Sequence, residues 1–168
     1  LNVGKSYIPF IARTFDRVGI PIELAYLPAI ESNFQNIALS PAGAVGMWQL
    51  MPEAATDHGL LMSPGIDERR DPYRSTVAAA QHLKDAYREL GSWPLAVTAY
   101  HHGVEGVRQR VREGKTDEIH ELIAPDSKAR FGIASQNYYP EFLAALEVAR
   151  EKGLTPSALP NIGVPSHR

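Results

Sequence analysis

Apolar residues recur at helical spacing along most of this chain, and glycine or proline interrupts the pattern at most segment ends. In the clearest example, over residues 3–18, apolar side chains fall on one helical face, and Gly19 follows as a typical helix stop. No segment alternates apolar and polar residues as a half-buried strand does, and no internal repeat occurs. The pattern predicts an all-α fold, with at most a small ribbon in the loop over residues 33–46.

The same signals place the other helices. Pro21 begins a helix that runs to Glu31 and is apolar almost all round, as a buried helix is, and Pro28 should kink it. Ser75 is a favourable N-cap for an amphipathic helix that ends before Gly91. The remaining predicted helices cover residues 47–51, 53–58, 95–102, 104–113, 116–123 and 137–152.

Composition excludes several classes of protein. A chain of 168 residues can form one domain with its own core, and a net charge of −2 gives no nucleic-acid footprint. No apolar run approaches the roughly 18–20 residues that span a bilayer. The absence of cysteine removes disulfides and thiolate zinc sites. His101 and His102 are adjacent, so on a helix they point about 100° apart, and we expect no metal and no cofactor.

The two ends of the sequence suggest a piece of a longer protein. The chain begins with Leu1 and shows no signal peptide, so we expect any targeting segment to be missing. Residues 156–168 are rich in Pro, Ser and Gly, which predicts a linker or tail after a domain over residues 1–155.

One carboxylate stands out at the end of the apolar run over residues 22–30. Glu31 follows that run directly, and no Asp or Glu occurs again before Glu53. Burial and a helix C-terminus both favour the protonated form of a carboxyl group, which is the form that a general acid needs. A solvated glutamate at a frayed helix end would give the same pattern. The residues of the following loop are therefore needed to distinguish a general acid from a solvated glutamate.

That loop has features of a sugar-binding surface. Gly43 and Gly46 permit close approach of the backbone to a ligand, and Met47 and Trp48 would offer apolar surface to sugar rings. Gln49 carries a donor and an acceptor that suit hydroxyl and acetamido groups. A turn that simply packs on the core is the alternative.

Four blocks occur in order along the chain. They are ESNF with SPAGAVGMWQLMP (residues 31–34 and 40–52), DERRDP with STVAAAQHL (67–72 and 75–83), AYHHG (99–103) and NYYPEFLAA (137–145). Together they resemble the catalytic domain of lytic transglycosylases, in particular the membrane-bound type D branch of the goose-type lysozyme superfamily (glycoside hydrolase family 23). The resemblance covers roughly residues 18–150, and it implies a lysozyme-like helical domain with a glycan-binding cleft.

The resemblance also implies roles for individual residues. Glu31 would be the acid/base, and Ser32 would help to hold that end of the helix. Tyr100 would hydrogen-bond near Glu31 and orient it, and Tyr138 would close the cleft from the other side. The other implied substrate contacts are Ser40, Gly46, Met47, Gln49, Met51 and His101.

The implied reaction is non-hydrolytic cleavage of peptidoglycan. Most glycosidases use two carboxylates, and the loop after Glu31 supplies no second one. We therefore expect the substrate's N-acetyl group to assist and its C6 hydroxyl to attack, which yields a 1,6-anhydro end. The implied setting is the bacterial periplasm or cell envelope, with a monomer acting on glycan strands, no membrane contact by this domain, and further cell-wall-binding domains in the full-length chain.

The sequence departs from the family pattern in the third block and just before the fourth. His101 stands where the family usually has an asparagine that contacts substrate, so we expect altered contacts. Ala134, Ser135 and Gln136 replace Glu-Thr-Arg, so an acidic substrate contact is missing, and the segment over residues 124–136 is unlike the common form.

Other interpretations remain open at this point. A hydrolytic muramidase would recruit Glu53 or Asp57, and a peptidoglycan-binding domain without turnover would fit the changes at His101 and Ala134. A plain helical interaction domain would leave the four blocks unexplained. The run from Arg69 to Asp71 resembles a clamp for substrate peptide, but a salt-bridge cluster at the start of a helix is favoured. Trp93 is predicted to lie in the core.

Overall fold

The computed structural model describes residues 4–128 and 131–154, and these residues are mainly helical, which confirms the all-α class. The α-helices are α1 (Ile8–Val18), α2 (Leu27–Glu31), α3 (Pro52–Asp57), α4 (Pro72–Leu90), α5 (Trp93–His102), α6 (Val104–Gly114), α7 (Ile119–Leu122) and α8 (Ile133–Glu151). Short 3-10 helices cover Gly4–Ser6, Ile22–Tyr26 and Glu68–Arg70, and an antiparallel hairpin pairs β1 (Met62–Ser63) with β2 (Ile66–Asp67). The tail predicted over residues 156–168 lies outside the described residues.

The segment predicted as one helix from Pro21 to Glu31 is two helices. Residues Ile22–Tyr26 form a 3-10 helix, and α2 begins at Leu27, with Pro28 in its first turn. Proline is tolerated there because its missing N–H would have had no partner within the helix. The change of helix type therefore falls where a kink at Pro28 was expected, and α2 ends at Glu31.

The start of α4 also differs from the prediction. The helix begins at Pro72, and Ser75 is buried inside it, where its hydroxyl donates to the carbonyl of Asp71 over 2.6 Å. The cap is Asp71, whose Oδ1 accepts from the amides of Tyr73 and Arg74 at 2.8 and 2.9 Å. The prediction of a Ser75 cap was wrong because an Asp followed by Pro is the stronger start signal.

The chain divides into two compact units. Among the described residues, the first unit comprises residues 4–80 and 145–154, and the second comprises residues 81–128 and 131–144. In the first unit Phe15 and Trp48 pack with ring centroids 5.5 Å apart, and both are fully buried. The indole N–H of Trp48 donates to Thr76 Oγ1 over 2.9 Å, so the core of this unit holds the loop residue Trp48 against α4.

The second unit has its own apolar cluster, formed by α4 to α8. Its buried members include Leu95, Val107 and Leu122. Trp93 packs against the cluster while partly buried, and it stacks on Tyr87 with centroids 4.2 Å apart. The core position predicted for Trp93 is therefore confirmed. Across the described parts of both units, every helix is too short or too polar to cross a membrane.

Candidate active site

Glu31 lies half-buried at the C-terminal end of α2, and its neighbour fixes that end. The hydroxyl of Ser32 donates to the carbonyl of Met47 over 2.9 Å and accepts from the amide of Gln35 over 3.1 Å. The next two residues, Asn33 and Phe34, have φ values of +52° and +61°, which side-chain-bearing residues seldom adopt. The chain thus turns sharply just after Glu31, and Ser32 ties α2 to the loop that follows.

Residues 38–50 form a compact double turn, which we call the ribbon loop. Val45 and Leu50 exchange two backbone hydrogen bonds of 3.2 Å, and Leu39 pairs with Val45 on the other side. Ser40 Oγ accepts from the amide of Ala44 over 3.0 Å. The small ribbon predicted for this region is present, and it extends further along the chain than expected.

Gln49 occupies the tip of the second turn in a strained conformation. Its φ is +48°, and its side-chain amide donates to the carbonyl of Gly46 over 2.8 Å while the residue stays half-buried. Non-glycine residues in this region of φ/ψ space often occur at functional sites. Met51 follows the loop and is 44% exposed, so its side chain can contact a ligand.

Two expectations about the ribbon loop were wrong. Met47 and Trp48 have no exposed surface, so neither side chain can stack on a sugar ring, and Met47 contributes only its carbonyl to the loop. Gly46 is buried, and a Cβ there would lie 2.0 Å from the carbonyl oxygen of Arg69. The space beside Gly46 is therefore occupied by protein and is not free for a ligand.

The acidic residues of this unit differ in their surroundings. Glu53 and Asp57, the candidates for a second acid, lie exposed on α3. The sequence analysis missed Glu23, a carboxylate inside the apolar run itself, which is only 2% exposed. Burial raises the pKa of Glu23, partly offset by a backbone hydrogen bond and by Arg150, and its Oε2 has no hydrogen-bond partner. Such burial keeps Glu23 away from a substrate.

In the second unit, the end of α5 carries two of the predicted substrate contacts. Tyr100 is half-buried and packs edge-on against His82, with centroids 5.5 Å apart. His101 is exposed and stacks on Tyr138 at 5.0 Å, with 18° between the ring planes. The structure therefore joins His101 and Tyr138 into one aromatic pair. The proposed contact of Tyr100 with Glu31 stays a prediction.

His102 points away from this pair and is held by α8. Its Nδ1 lies 2.8 Å from the hydroxyl of Ser135, and its ring packs edge-on against Phe131. Burial lowers the pKa of His102, and the charges of Arg110 and His101 lower it further. Thus the two histidines have separate partners, and among the described residues no three metal-ligating side chains come together.

The family model described as the transglycosylase SLT domain matches residues 11–123 of the chain. This match covers the ribbon loop, α4 and the end of α5.

Among curated relatives, the membrane-bound lytic murein transglycosylase D of Escherichia coli K12 is 30% identical over 152 residues, which cover 88% of this chain. A putative tributyltin chloride resistance protein of Alteromonas sp. strain M-1 is 36% identical over 101 residues, or 60% of this chain. The chain spans 32% and 49% of the length of these two proteins.

Solved structures share the fold. The lytic transglycosylase Slt of Pseudomonas aeruginosa, in an inactive mutant form, matches 89% of this chain with a TM-score of 0.69 and 20% identity. The 70 kDa soluble lytic transglycosylase of E. coli matches 86% with a TM-score of 0.68 and 21% identity. Each match covers 25% of the larger chain.

Proposed function

Because the chain belongs to the transglycosylase SLT domain family, we propose that it cleaves peptidoglycan glycan strands between MurNAc and GlcNAc without using water. The bond is the β-1,4 linkage, and the product carries a 1,6-anhydro-MurNAc end. The name of the relative from E. coli K12, a lytic murein transglycosylase, supports this choice of substrate. The proposed setting is the bacterial cell envelope, where a monomeric domain acts within a longer protein.

The observation that carries the proposal is the single carboxylate from Glu31 to Met51. Ser32 fixes the helix end that presents Glu31, and no Asp or Glu occurs between Glu31 and Glu53. A hydrolase that uses two carboxylates needs a second acid to activate water or to attack the sugar. Where the second acid is absent, the substrate's own groups must take over that step.

The reaction proceeds in two steps with one protein acid. Glu31, protonated, donates its proton to the glycosidic oxygen while the C1–O bond breaks, and the carbonyl oxygen of the MurNAc N-acetyl group bonds to C1. The carboxylate of Glu31 then takes the proton from the C6 hydroxyl, whose oxygen attacks C1 and opens the oxazolinium ring. Glu31 ends protonated, the GlcNAc leaves with its 4-hydroxyl, and no water is consumed.

The surrounding residues serve binding. Gln49 and Ser40 present polar groups of the ribbon loop, and Met51 adds exposed apolar surface at its end. The stacked pair of His101 and Tyr138 offers one exposed imidazole face for a sugar ring or its acetamido group. Tyr100 is proposed to orient Glu31.

The substitution Glu31→Gln tests the assignment of the acid. We expect release of soluble muropeptides from purified sacculi to stop, because glutamine can neither donate nor accept the proton, while binding to sacculi persists. Glu53→Gln and Asp57→Asn are matched controls, since both acids are exposed on α3. Retained release by Glu31→Gln would refute the assignment, and loss of release in either control would favour the hydrolytic alternative. Binding without release by the wild type would identify a domain without turnover.

A further inference from the structure

Arg69 is buried, although nothing in the proposed reaction uses it. It is only 8% exposed, and its guanidinium Nη1 donates to the carbonyls of Gly43 and Leu50 at 3.0 and 3.2 Å. These two carbonyls stand on either side of the turn that contains Gln49. One arginine therefore joins both turns of the ribbon loop from the side of the core.

Asp67 holds the guanidinium in position. Its two oxygens accept from Nε and Nη2 of Arg69 at 2.9 and 2.8 Å, and Oδ1 also accepts from the backbone amide of Arg69. The side-chain hydrogen bond from Arg69 lowers the pKa of Asp67 and so favours its carboxylate form. Two parallel hydrogen bonds to a carboxylate fix the plane of the guanidinium, which a single ion pair would not do.

The backbone around Arg69 also contacts the loop. Its carbonyl oxygen fills the space beside the Cα of Gly46, and the guanidinium of Arg70 donates to the carbonyl of Ile37 over 3.0 Å. The loop is thus held at both turns and at Gly46, and the chain is also held at Ile37, directly before the loop. The salt bridges predicted near the start of α4 are present, between Arg69 and Asp67 and between Arg74 and Glu68. Asp71 caps the helix, whereas Arg69 also binds the loop and Arg70 binds the chain directly before it.

From this geometry we infer that Arg69 is a positioning residue that sets the shape of the ribbon loop for glycan binding. The inference rests on the proposed function, because Ser40 and Gln49 are the proposed binding residues of the loop. Glu31 lies on α2, whereas the hydrogen bonds of Arg69 go to Asp67 and the loop. Loss of Arg69 should therefore weaken binding more than it slows the chemical step.

The substitution Arg69→Lys separates these effects, because lysine keeps the charge but not the planar set of donors. With soluble, uncrosslinked peptidoglycan strands as substrate, we expect KM to rise about tenfold while kcat stays within about twofold. Arg74→Lys is the matched control, since Arg74 is an exposed arginine with one ion pair, to Glu68, and we expect no change there. Asp67→Asn provides a second variant if Arg69→Lys does not fold.

Hydrogen exchange provides a readout that does not need activity. The amides of Val45 and Leu50 bond across the ribbon, and they should exchange faster in Arg69→Lys than in the wild type or in Arg74→Lys. Unchanged exchange, or faster exchange with unchanged KM, would overturn the inference. A fall in kcat that follows the folded fraction, at constant KM, would also overturn it. If the wild type cleaves no glycan, the proposed function fails, while the exchange rates still decide whether Arg69 holds the loop.

Discussion

Replacement of Gly46 by alanine tests the packing of the ribbon loop quantitatively. The new Cβ would lie 2.0 Å from the carbonyl oxygen of Arg69, well inside contact distance, so the two backbones must move apart by about 1 Å or more. Gly46 also has a φ of +82°, which costs a residue with a side chain about 1–2 kcal/mol. Overpacking of this kind adds about 1–3 kcal/mol. We therefore expect the free energy of unfolding to fall by roughly 2–5 kcal/mol.

Gly43→Ala is the matched control for this experiment. Gly43 has a φ of +92°, but no atom lies within 4 Å of the Cβ position. Its substitution should cost only the backbone strain, about 1–2 kcal/mol. Urea denaturation of both variants measures the difference between them, which isolates the contact with Arg69. Equal losses of stability in the two variants would refute the packing argument.

Two further predictions concern titration. Because burial raises the pKa of Glu23, the folded state binds the proton of this carboxyl group more tightly than the unfolded state does. The resulting stabilisation is complete below about pH 4.5 and is lost as pH rises through the raised pKa. Glu23→Gln should therefore gain stability relative to the wild type as pH rises above about 4.5, and a constant difference in urea denaturation would contradict this. Arg110→Gln should raise the pKa of His102, measured by NMR, but leave it below its ordinary value because burial persists. An unchanged pKa would show that Arg110 has no influence.

Local signals in the sequence were sufficient to single out Glu31 as the proposed acid. The apolar run, the helix end at Glu31 and the lack of a further acid before Glu53 are all readable from neighbouring residues. The position of the helical segment over residues 21–31 was predicted correctly. The 3-10 helix in its first half was not predicted, because that helix type depends on burial among other elements. Glu23 was overlooked because its apolar neighbours dominated the pattern.

Contacts distant in sequence were not predictable in the same way. Trp48 looked like a sugar platform, but Thr76 and Phe15 draw it into the core. Gly46 looked like an opening for ligand until Arg69, far along the chain, proved to occupy the space. In both cases the residue that determines the packing lies on another element, and the local sequence does not identify it.

Three of the residues that depart from the family pattern make contacts within the second unit. Ser135 stands where the family has a threonine, and its hydroxyl meets His102, while Gln136 donates to the carbonyl of Ile123. His101 stacks on Tyr138. His101, Ser135 and Gln136 therefore each contact another residue of the second unit, which a sequence pattern alone does not reveal.

The chemical nature of the new glycan end tests the central claim most directly. Purified sacculi digested in water enriched in heavy oxygen can be analysed by mass spectrometry of the released muropeptides. The proposed mechanism predicts 1,6-anhydro ends, lighter by one water than reducing ends and free of solvent oxygen, and none of these products with Glu31→Gln. Reducing ends that carry the heavy oxygen would contradict it and would establish hydrolysis.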